Sequence, residues 1–386
     1  MATEHRAEHV GSLLRPPYLL AARDARDKGE LTTGELREVE ARAIAELIGL
    51  QQQAGLTVFT DGEARRQSWR AGLMESLGGV VPASRTMRWY RDGRELSPEE
   101  TLTDGAVATT KVSRKQDLTG AEASFMASHA PGAFKITMIS ASMGGMLWDS
   151  ERSAAVYPTP GDLIEDLTRL QIEEIGGLAA RGARWVQLDS LSYNQVMDAS
   201  ASGATRGSLR QDQVLDATIT ADAAIVSAVK REHPDLTVGM HICRGNYRSS
   251  WMARGGYEPV AERLFNEVPV DRFLLEYDTE RAGGFEPLRF LPPGPTVVLG
   301  LVTTKVPELE NPDDLRRRID EAARYAPLEQ LAISPQCGFA SGLLGNLITV
   351  DDERRKLDLV VSVARQVWGC PSRGNRIRRR CEHAAG

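Results

Sequence analysis

Four side chains of metal-binding type follow three apolar runs of the chain. His241 and Cys243 stand two residues apart just after the apolar run 236–239, and two further runs end at Glu276 and Cys337. Side chains two positions apart on an extended chain point to the same side. Imidazole, thiolate and carboxylate groups together suit Zn²⁺. The sequence therefore predicts a zinc site formed by His241, Cys243, Glu276 and Cys337.

The wide spacing of these ligands favours a site that an exchangeable ligand can enter. Structural zinc sites usually carry close-set pairs such as Cys-x₂-Cys, whereas these four residues are spread over three strand ends. A bound metal lowers the pKa of a thiol and deprotonates it. The chemistry indicated is activation of an incoming thiol as a nucleophile. The His-x-Cys spacing alone is also compatible with Cys243 as a small buried apolar residue.

Eight predicted strands, mostly alternating with helices, must position these side chains. They cover about residues 7–10, 56–60, 134–139, 185–188, 236–240, 272–275, 296–301 and 330–333. This alternation predicts an α/β fold, a single (β/α)₈ TIM barrel. The polar candidates follow the C-terminal strand ends, the face on which barrel enzymes carry their active sites. These candidates are Ser12, Glu63, Asp189, His241, Cys243, Glu276 and Cys337.

Local signals mark the other elements and the domain limits. Thr32 with Glu35 is typical of a capping box and predicts a helix that runs to about residue 53 and ends at Gly55. Further helices are predicted at about 162–180, 211–231 and 352–368, and another opens at Asn311-Pro312. Residues 77–120 are predicted to be an insertion after the second strand, with a hairpin turn at Asp92-Gly93. The barrel is predicted to span residues 1–370, followed by a flexible basic tail at 371–386.

Composition excludes several classes of partner. The 386 residues include 47 basic and 53 acidic side chains, well mixed, for a net charge of −6, which argues against a nucleic-acid or membrane surface. No apolar run approaches the roughly 18 residues of a membrane span, and the N-terminus lacks a signal-peptide core. Four cysteines in a chain of this length do not form a disulfide framework. We therefore expect a cytoplasmic protein.

The motifs at the strand ends resemble those of the C-terminal catalytic barrel of cobalamin-independent methionine synthase, most closely its short single-barrel members. We expect this chain to correspond to the catalytic barrel alone, without the N-terminal duplicated barrel of the long members. The matching segments run in the family's order and cover nearly the whole chain. They are His9-Val10-Gly11-Ser12, Asp61-Gly62-Glu63, Gln187-Leu188-Asp189, His241-Ile242-Cys243-Arg244-Gly245-Asn246, Leu275-Glu276-Tyr277-Asp278, Val298-Leu299-Gly300-Leu301-Val302 and Ser334-Pro335-Gln336-Cys337-Gly338-Phe339-Ala340-Ser341.

The resemblance implies a role for each matching position. His241, Cys243, Glu276 and Cys337 match the zinc ligands. Gly11 and Ser12 match the group that holds the carboxylate of homocysteine, although a simple turn after a strand is the alternative. Glu63 and Asp189 match the carboxylates that hold its ammonium, and we take both as candidate catalytic residues. Either could instead be a solvated loop carboxylate.

Some positions depart from the family pattern and leave the methyl donor open. In the long enzymes folate stacks on a tryptophan in the loop after the third strand, but that loop reads Ser140-Ala141-Ser142-Met143-Gly144-Gly145 here, with Trp148 out of register. A family histidine after the seventh strand, implicated in proton delivery to folate, has no counterpart, and Ser190 replaces a common second acid. Lys305 could serve an anionic donor or product, or be an exposed lysine.

Arg244 and Asn246 belong to the motif of the short members. Arg244 could bind an anion or support the site through an ion pair, and the sequence does not choose between these roles. The cysteines at 370 and 381 lie outside any motif and are not assigned to the site.

The sequence as a whole indicates a zinc-dependent thiol S-alkyltransferase, with methyl transfer to homocysteine as the first hypothesis. The methyl donor could be a methyltetrahydrofolate, a methyl-corrinoid or another small methyl compound. The alternative enzyme is an epoxyalkane:coenzyme M transferase, which opens an epoxide with a thiolate. A third hypothesis is a zinc-holding, thiol-binding protein without turnover that partners a methyl-carrier protein.

Overall fold

The computed structural model of the chain describes residues 5–69, 76–84, 87–101, 104–115, 119–198 and 210–369. The predicted basic tail, 371–386, lies outside the described residues, as do Cys370 and Cys381. The domain boundary at residue 370 therefore stays a prediction.

Six parallel strands form the main sheet and adjoin one another in chain order. The strands of the described ranges are β1 (Val58–Phe59), β2 (Leu77–Ser84), β3 (Tyr90–Arg91), β4 (Arg94–Glu95), β5 (Asp104–Arg114), β6 (Ala133–Phe134), β7 (Ile136–Ile139), β8 (Trp185–Asp189), β9 (Thr237–Ile242), β10 (Arg272–Glu276), β11 (Thr296–Val302) and β12 (Leu331–Pro335). The order β7-β8-β9-β10-β11-β12 is continuous, and every pairing within it is parallel. Apart from Thr237, all residues of these six strands are buried, as expected of parallel strands covered on both faces.

The N-terminal segment and β1 close this sheet into a barrel. β1 pairs in parallel with β6, which continues through Lys135 into β7. At the other edge Ala7 forms a parallel bridge to Ile333 of β12, and the Glu8 amide donates to the Ile333 carbonyl at 3.0 Å. The Leu13 amide in turn donates to the Gly62 carbonyl at 3.1 Å, next to β1. This connectivity is the predicted (β/α)₈ barrel, but its first strand is reduced to the bridge at Ala7.

Helices occupy the outer layer. Of the nine α-helices in the described ranges, four begin and end near their predicted limits and a fifth begins where predicted. In chain order they are Pro17–Asp27, Thr33–Ala54, Gly120–His129, Pro160–Ala180, Asn194–Met197, Gln211–Glu232, Glu258–Glu267, Pro312–Ala322 and Val350–Trp368. The capping box of Thr32 and Glu35 is present, and Gly55 ends that helix with φ 86°. Sequence reasoning missed the first, third, fifth and seventh of these helices, which are short. No helix of the described part combines the length and apolarity needed to cross a membrane.

Residues of the predicted insertion form antiparallel structure outside the barrel. β2 pairs with β5, and β3 with β4 across a turn whose residues Asp92 and Gly93 have φ of 52° and 76°. Positive φ at both positions is what the two-residue turn of a tight hairpin requires. The hairpin also contacts the barrel, because Tyr90 and Trp251 exchange backbone hydrogen bonds of 2.8 and 3.0 Å. Their rings stack with centroids 4.7 Å apart. The insertion is thus attached to the loop after β9.

A buried charged network fills the barrel below the strand ends. Lys135 Nζ donates to Glu8 Oε1 at 2.9 Å and to Gln187 Oε1 at 2.7 Å, and Arg272 Nε donates to Glu8 Oε2 at 2.8 Å. Burial opposes ionisation of Glu8, but the charges of Lys135 and Arg272 outweigh burial and hold its pKa at about 2. Because lysine only donates, Gln187 must turn its amide nitrogen away from Lys135. That nitrogen donates to Asp189 Oδ1 at 2.9 Å, so the network reaches a predicted site residue.

Candidate functional site

His241, Cys243 and Cys337 form a buried cluster at the C-terminal mouth of the barrel. Their candidate ligand atoms all lie within 4.8 Å of one another, and the two sulfur atoms are 3.7 Å apart. β9 carries His241, Cys243 follows its last residue, and Cys337 comes two residues after the end of β12. These three predicted ligands are therefore brought together by strands that are distant in sequence.

The ring of His241 is oriented as a metal ligand requires. Its Nδ1 lies 3.1 Å from the carbonyl oxygen of Leu274, an acceptor that fixes the proton on Nδ1. Nε2 then carries a lone pair. Cys337 is the neighbouring side chain that acts on this ring, but no well-formed hydrogen bond to Nε2 is present within the described residues. A cation held between this nitrogen and the two sulfurs would use the lone pair.

The sulfur atoms of Cys243 and Cys337 form a hydrogen bond of 3.7 Å. This contact raises the pKa of Cys243 well above its ordinary value and lowers that of Cys337 well below it. A divalent cation bound by both sulfurs would displace their protons, since metal binding releases protons from thiols. The donor set of one imidazole and two sulfurs therefore fits zinc.

Glu276 lies at the end of β10 but outside the three-residue cluster. Its Oε2 accepts from the Arg244 amide at 2.8 Å, and its Oε1 pairs with Arg281. Burial opposes ionisation of Glu276, but the positive charges of Lys305, Arg281 and Arg244 outweigh burial and keep its pKa below the ordinary value. The carboxylate is thus ionised and adjacent to the loop of Cys243. Its assignment as the fourth ligand stays a prediction.

The structure favours the supporting role for Arg244. Its guanidinium donates twice to the Gly255 carbonyl, at 2.9 and 2.7 Å, and lies 4.2 Å from the ring centroid of Tyr257. The Tyr257 hydroxyl accepts from the Glu276 amide and donates to the Ile242 carbonyl, both at 2.8 Å. Arg244 and Tyr257 together hold the ends of β9 and β10 in place.

Asn246 connects the two loops that carry the cysteines. Its Nδ2 donates to the Gly338 carbonyl at 2.7 Å and approaches Ser341 Oγ at 3.3 Å. Gly338 directly follows Cys337, and Asn246 lies three residues after Cys243. Asn246, whose role the sequence leaves open, therefore helps to fix the distance between the loops that carry Cys243 and Cys337.

Glu63 and Asp189 provide an acidic wall beside this cluster. Glu63 Oε1 accepts from Thr137 Oγ1 at 2.8 Å, while its Oε2 is buried and has no partner among the described residues. Asp189 is the register neighbour of His241, and burial raises its pKa to about 7. The negative charge of Glu63 contributes to that rise. Two buried carboxylates with free acceptor capacity can hold an ammonium group.

Gly11 and Ser12 lie between this wall and the cluster. A Cβ added to Gly11 would approach Thr137 to 2.6 Å and Glu63 Oε1 to 3.4 Å. Ser12 packs against the loop that carries Cys337, because a Cβ added to Gly338 would lie 2.0 Å from Ser12 Oγ. The structure therefore brings every sequence-predicted site residue to one mouth, with Glu276 next to the loop of Cys243 but outside the three-residue cluster. Their assigned roles toward a substrate stay predictions.

Arg15 is a site residue that sequence reasoning missed. Its buried guanidinium donates to four carbonyl oxygens, those of Glu63 (2.9 Å), Arg66 (2.8 Å), Ala340 (3.2 Å) and Gly342 (3.0 Å). It thereby joins the loop of Glu63 to the loop of Cys337. An arginine three residues after Ser12 carries no motif signal, so only the structure reveals this contact.

The loops after β7 and β8 are also fixed by a residue that the sequence did not indicate. Asp222, on the helix Gln211–Glu232, pairs with Ser140 and accepts from Ser190 Oγ at 3.2 Å and from the Tyr193 hydroxyl at 2.8 Å. Ser190 therefore has a structural partner. Trp148 Nε1 donates to the Tyr157 carbonyl at 2.8 Å.

Lys305 is buried, so the interpretation of an exposed lysine is wrong. Only 8% of its surface is accessible, and the segment that follows β11 is folded against the loop of Cys337. The sequence places Lys305 near a strand end but gives no indication of its burial.

The fold and the site define a barrel enzyme whose mouth combines an imidazole, two thiols and an acidic wall. The chain belongs to the cobalamin-independent methionine synthase family, since the family model described as "Cobalamin-independent synthase, Catalytic domain" matches residues 7–366. This confirms the family predicted from the motifs, the TIM barrel and the methyltransferase class of enzyme.

Known proteins similar to this chain include both sequences and solved structures. YxjH of Bacillus subtilis (strain 168), a protein of uncharacterised activity, is 37% identical over 369 residues, which are 94% of each chain. A methionine synthase of Pyrococcus abyssi is 22% identical over 329 residues, covering 85% of this chain and 84% of that protein. The crystal structure of a vitamin-B12-independent methionine synthase assigned in Listeria monocytogenes superposes with TM-score 0.71 at 28% identity, covering 94% and 98% of the two chains.

Proposed function

We propose that this enzyme is a zinc-dependent thiol S-methyltransferase that methylates homocysteine to give methionine. The observation that carries the proposal is the buried His241, Cys243 and Cys337 cluster with the carboxylates of Glu63 and Asp189 beside it. Thiol-activating ligands and ammonium-binding carboxylates meet at one mouth. A substrate that is both a thiol and an amino acid satisfies both groups.

Zinc would be held by His241 Nε2 and the sulfurs of Cys243 and Cys337, with Glu276 as the predicted fourth ligand. When bound, zinc supplies the positive charge that keeps a thiol deprotonated near neutral pH. The protein contributes the orientation of its ligands. Leu274 fixes the tautomer of His241 through the 3.1 Å contact to Nδ1.

The acidic wall orients the amino-acid end of the thiol. Glu63 Oε2 has free acceptor capacity, and Asp189 is oriented by the hydrogen bond from Gln187. An ammonium held between these carboxylates makes charge-assisted hydrogen bonds. We expect Gly11 and Ser12 to meet the carboxylate of the same molecule. Holding both ends directs the thiol toward the cluster and raises its effective concentration there.

The epoxide-opening alternative fits this wall less well. Coenzyme M carries a sulfonate in place of the amino-acid end of homocysteine. A sulfonate bound in the same position would need cationic partners, but Glu63 and Asp189 are acidic. The nearby cation on that side is Arg66, and its guanidinium is already committed to Glu122, with contacts of 2.9 and 2.5 Å, and to the Thr137 carbonyl at 2.7 Å. Arg66 also lies 3.7 Å from Glu63 Oε1, so it is not free to hold a sulfonate beside these carboxylates. The acidic wall therefore matches the ammonium of homocysteine better than a sulfonate.

The test is metal analysis followed by calorimetric titration of homocysteine and coenzyme M into the purified protein. About one zinc per chain and saturable homocysteine binding with proton release are expected. The methyl donor is then sought by measuring methionine formed from methyltetrahydrofolate, methylcobalamin and small methyl compounds. Preferential binding of coenzyme M would favour epoxide opening. Zinc and homocysteine binding without turnover on any donor would favour the thiol-binding protein.

Two variants make this test specific. Asp189→Asn should weaken homocysteine binding by about 10- to 100-fold, because a charge-assisted hydrogen bond becomes a neutral one. Asp235→Asn changes an exposed carboxyl of the same type and should leave binding unchanged. Equal homocysteine affinity in both variants would remove Asp189 from the substrate site.

A further inference from the structure

Lys305 occupies a fixed position beside the loop that carries Cys337. The Thr304 amide donates to Gln336 Oε1 at 2.7 Å, and Thr304 Oγ1 donates to the Gly338 carbonyl at 3.2 Å. Asn346 Nδ2 donates to the Thr304 carbonyl at 2.8 Å. These bonds hold the backbone next to Lys305 on both sides of Cys337, so the lysine is not part of a loose loop.

The ammonium of Lys305 is buried without an acceptor. The residue is 8% exposed, and Nζ has no hydrogen-bond partner within the described ranges 5–69, 76–84, 87–101, 104–115, 119–198 and 210–369. Other cations near the mouth have acceptors: Arg281 pairs with Glu276, and Arg66 with Glu122. A charged group buried without an acceptor is costly, which is why buried charges are normally paired. Lys305 therefore has three donors available for a ligand.

The charge of Lys305 acts on the metal-binding cluster. For Glu276, Lys305 is the strongest of the charges that overcome the effect of burial and lower its pKa. For Cys337, Lys305 adds to the larger effects of Cys243 and His241 in lowering its pKa. Asp278 also experiences this charge. The charge of Lys305 is therefore close enough to Glu276, Asp278 and Cys337 to act on all three.

Lys305 and the acidic wall lie on opposite sides of the mouth. Around the barrel, β11 is separated from β8 by β9 and β10, and from β1 by β12 and the N-terminal segment. Glu63 and Asp189 follow β1 and β8, whereas Lys305 follows β11. An amino-acid thiol with its ammonium on the acidic wall leaves the side of Lys305 for the second substrate, which must approach the sulfur from another direction.

We propose that Lys305 binds an anionic group of the methyl donor, a carboxylate or phosphate-like oxyanion on the part of the molecule that leaves after transfer. The inference rests on the proposed function, because it takes the cluster as the place where the thiol is held. It adds a residue of this chain, Lys305, that would select an anionic donor. The carboxylate of homocysteine is the other source of such an anion, and the experiment separates the two.

The experiment titrates inorganic phosphate, at constant ionic strength, into zinc-loaded protein saturated with homocysteine. Calorimetry should detect one phosphate per chain. Lys305→Met should weaken phosphate binding by about 30-fold or more, the effect of removing a charge-assisted contact from a buried site. Lys305→Arg, which keeps the charge, should retain most of the affinity. Lys28→Met, at an exposed lysine, is the matched control.

Three results would overturn the inference. Phosphate binding unchanged in Lys305→Met would show that Lys305 is not an anion site. Mutual exclusion of phosphate and homocysteine would assign the anion to the thiol and not to the donor. Loss of zinc from Lys305→Met while Lys305→Arg keeps it would show that Lys305 only balances the charge of the ligands.

Failure of the proposed function would look different. If homocysteine does not bind but phosphate binding to the zinc-loaded protein still depends on Lys305, the anion site stands and the identity of the thiol is wrong. If homocysteine is methylated but the affinity for phosphate is the same in Lys305→Met as in the wild type, the proposed function stands and the anion site is wrong.

Discussion

Replacing Arg15 by lysine tests whether the site depends on a single internal connection. The guanidinium donates to four carbonyl oxygens on two loops, those of Glu63 and Arg66 and those of Ala340 and Gly342. An ammonium is a point donor and cannot span both pairs. At least two of these buried carbonyls would lose their donor, each at about 1–3 kcal/mol. We therefore expect Arg15→Lys to lower the free energy of unfolding by roughly 2–6 kcal/mol.

The expected effect extends to ligand binding, because the same bonds hold the loop of Glu63 against the loop of Cys337. Chemical denaturation measures the stability, and calorimetry measures zinc retention and homocysteine affinity in the same preparation. Arg42→Lys, at an arginine that is 70% exposed, controls for the change of residue type. Arg15→Lys with unfolding free energy and homocysteine affinity equal to those of the control would refute the reasoning. Reduced stability with unchanged homocysteine affinity would limit Arg15 to a purely structural role.

Three further predictions concern single substitutions. Cys337→Ser should reduce zinc far below one per chain by elemental analysis, and full occupancy would remove Cys337 from the ligand set. Gln187→Met deletes the 2.9 Å donor to Asp189 and should raise KM for homocysteine more than it lowers kcat; an unchanged KM would contradict the orienting role. Burial raises the pKa of Glu353 to about 8, against an ordinary 4.5, so the folded state binds an extra proton between these values and stability falls as pH rises from 4.5 to 8. Glu353→Gln should therefore be more stable than the wild type at pH 8.5 but not at pH 4.5, as measured by denaturant midpoints, and equal pH dependence of the two proteins would contradict this.

The barrel could be predicted from sequence because its strands are nearly continuous apolar runs. Thr296–Val302 and Leu331–Pro335 are buried along their whole length, and such runs stand out from the polar loops around them. The short helix Glu258–Glu267 was missed because its ten residues give fewer than three turns of periodicity. The first strand was predicted longer than it is, since its backbone pairs with β12 only around Ala7.

The part of the site that depends on residue type could be predicted from the sequence. Histidine and cysteine at strand ends are recognisable as metal-ligand types, and the His241, Cys243 and Cys337 cluster lies where their spacing indicated. Arg15 and Lys305 could not be assigned, because arginine and lysine are usually exposed and their burial depends on which distant loops fold over them. The contacts of Glu276 could not be predicted for the same reason. Its two carboxylate oxygens pair with Arg281 and with the Arg244 amide, which come from loops that the sequence does not position.

The contact between the hairpin and the loop after β9 has a consequence for shortening this enzyme. Tyr90 and Trp251 share two backbone hydrogen bonds and a stacked ring pair, and the Arg281 guanidinium lies 5.2 Å from the Trp251 ring centroid. Removing residues 77–114 to obtain a minimal barrel would therefore uncover the Trp251 ring and delete two backbone hydrogen bonds to the loop after β9. The hairpin therefore stabilises the loop after β9, which begins with Cys243. A shortened version of this enzyme would need new contacts from the barrel itself to stabilise that loop.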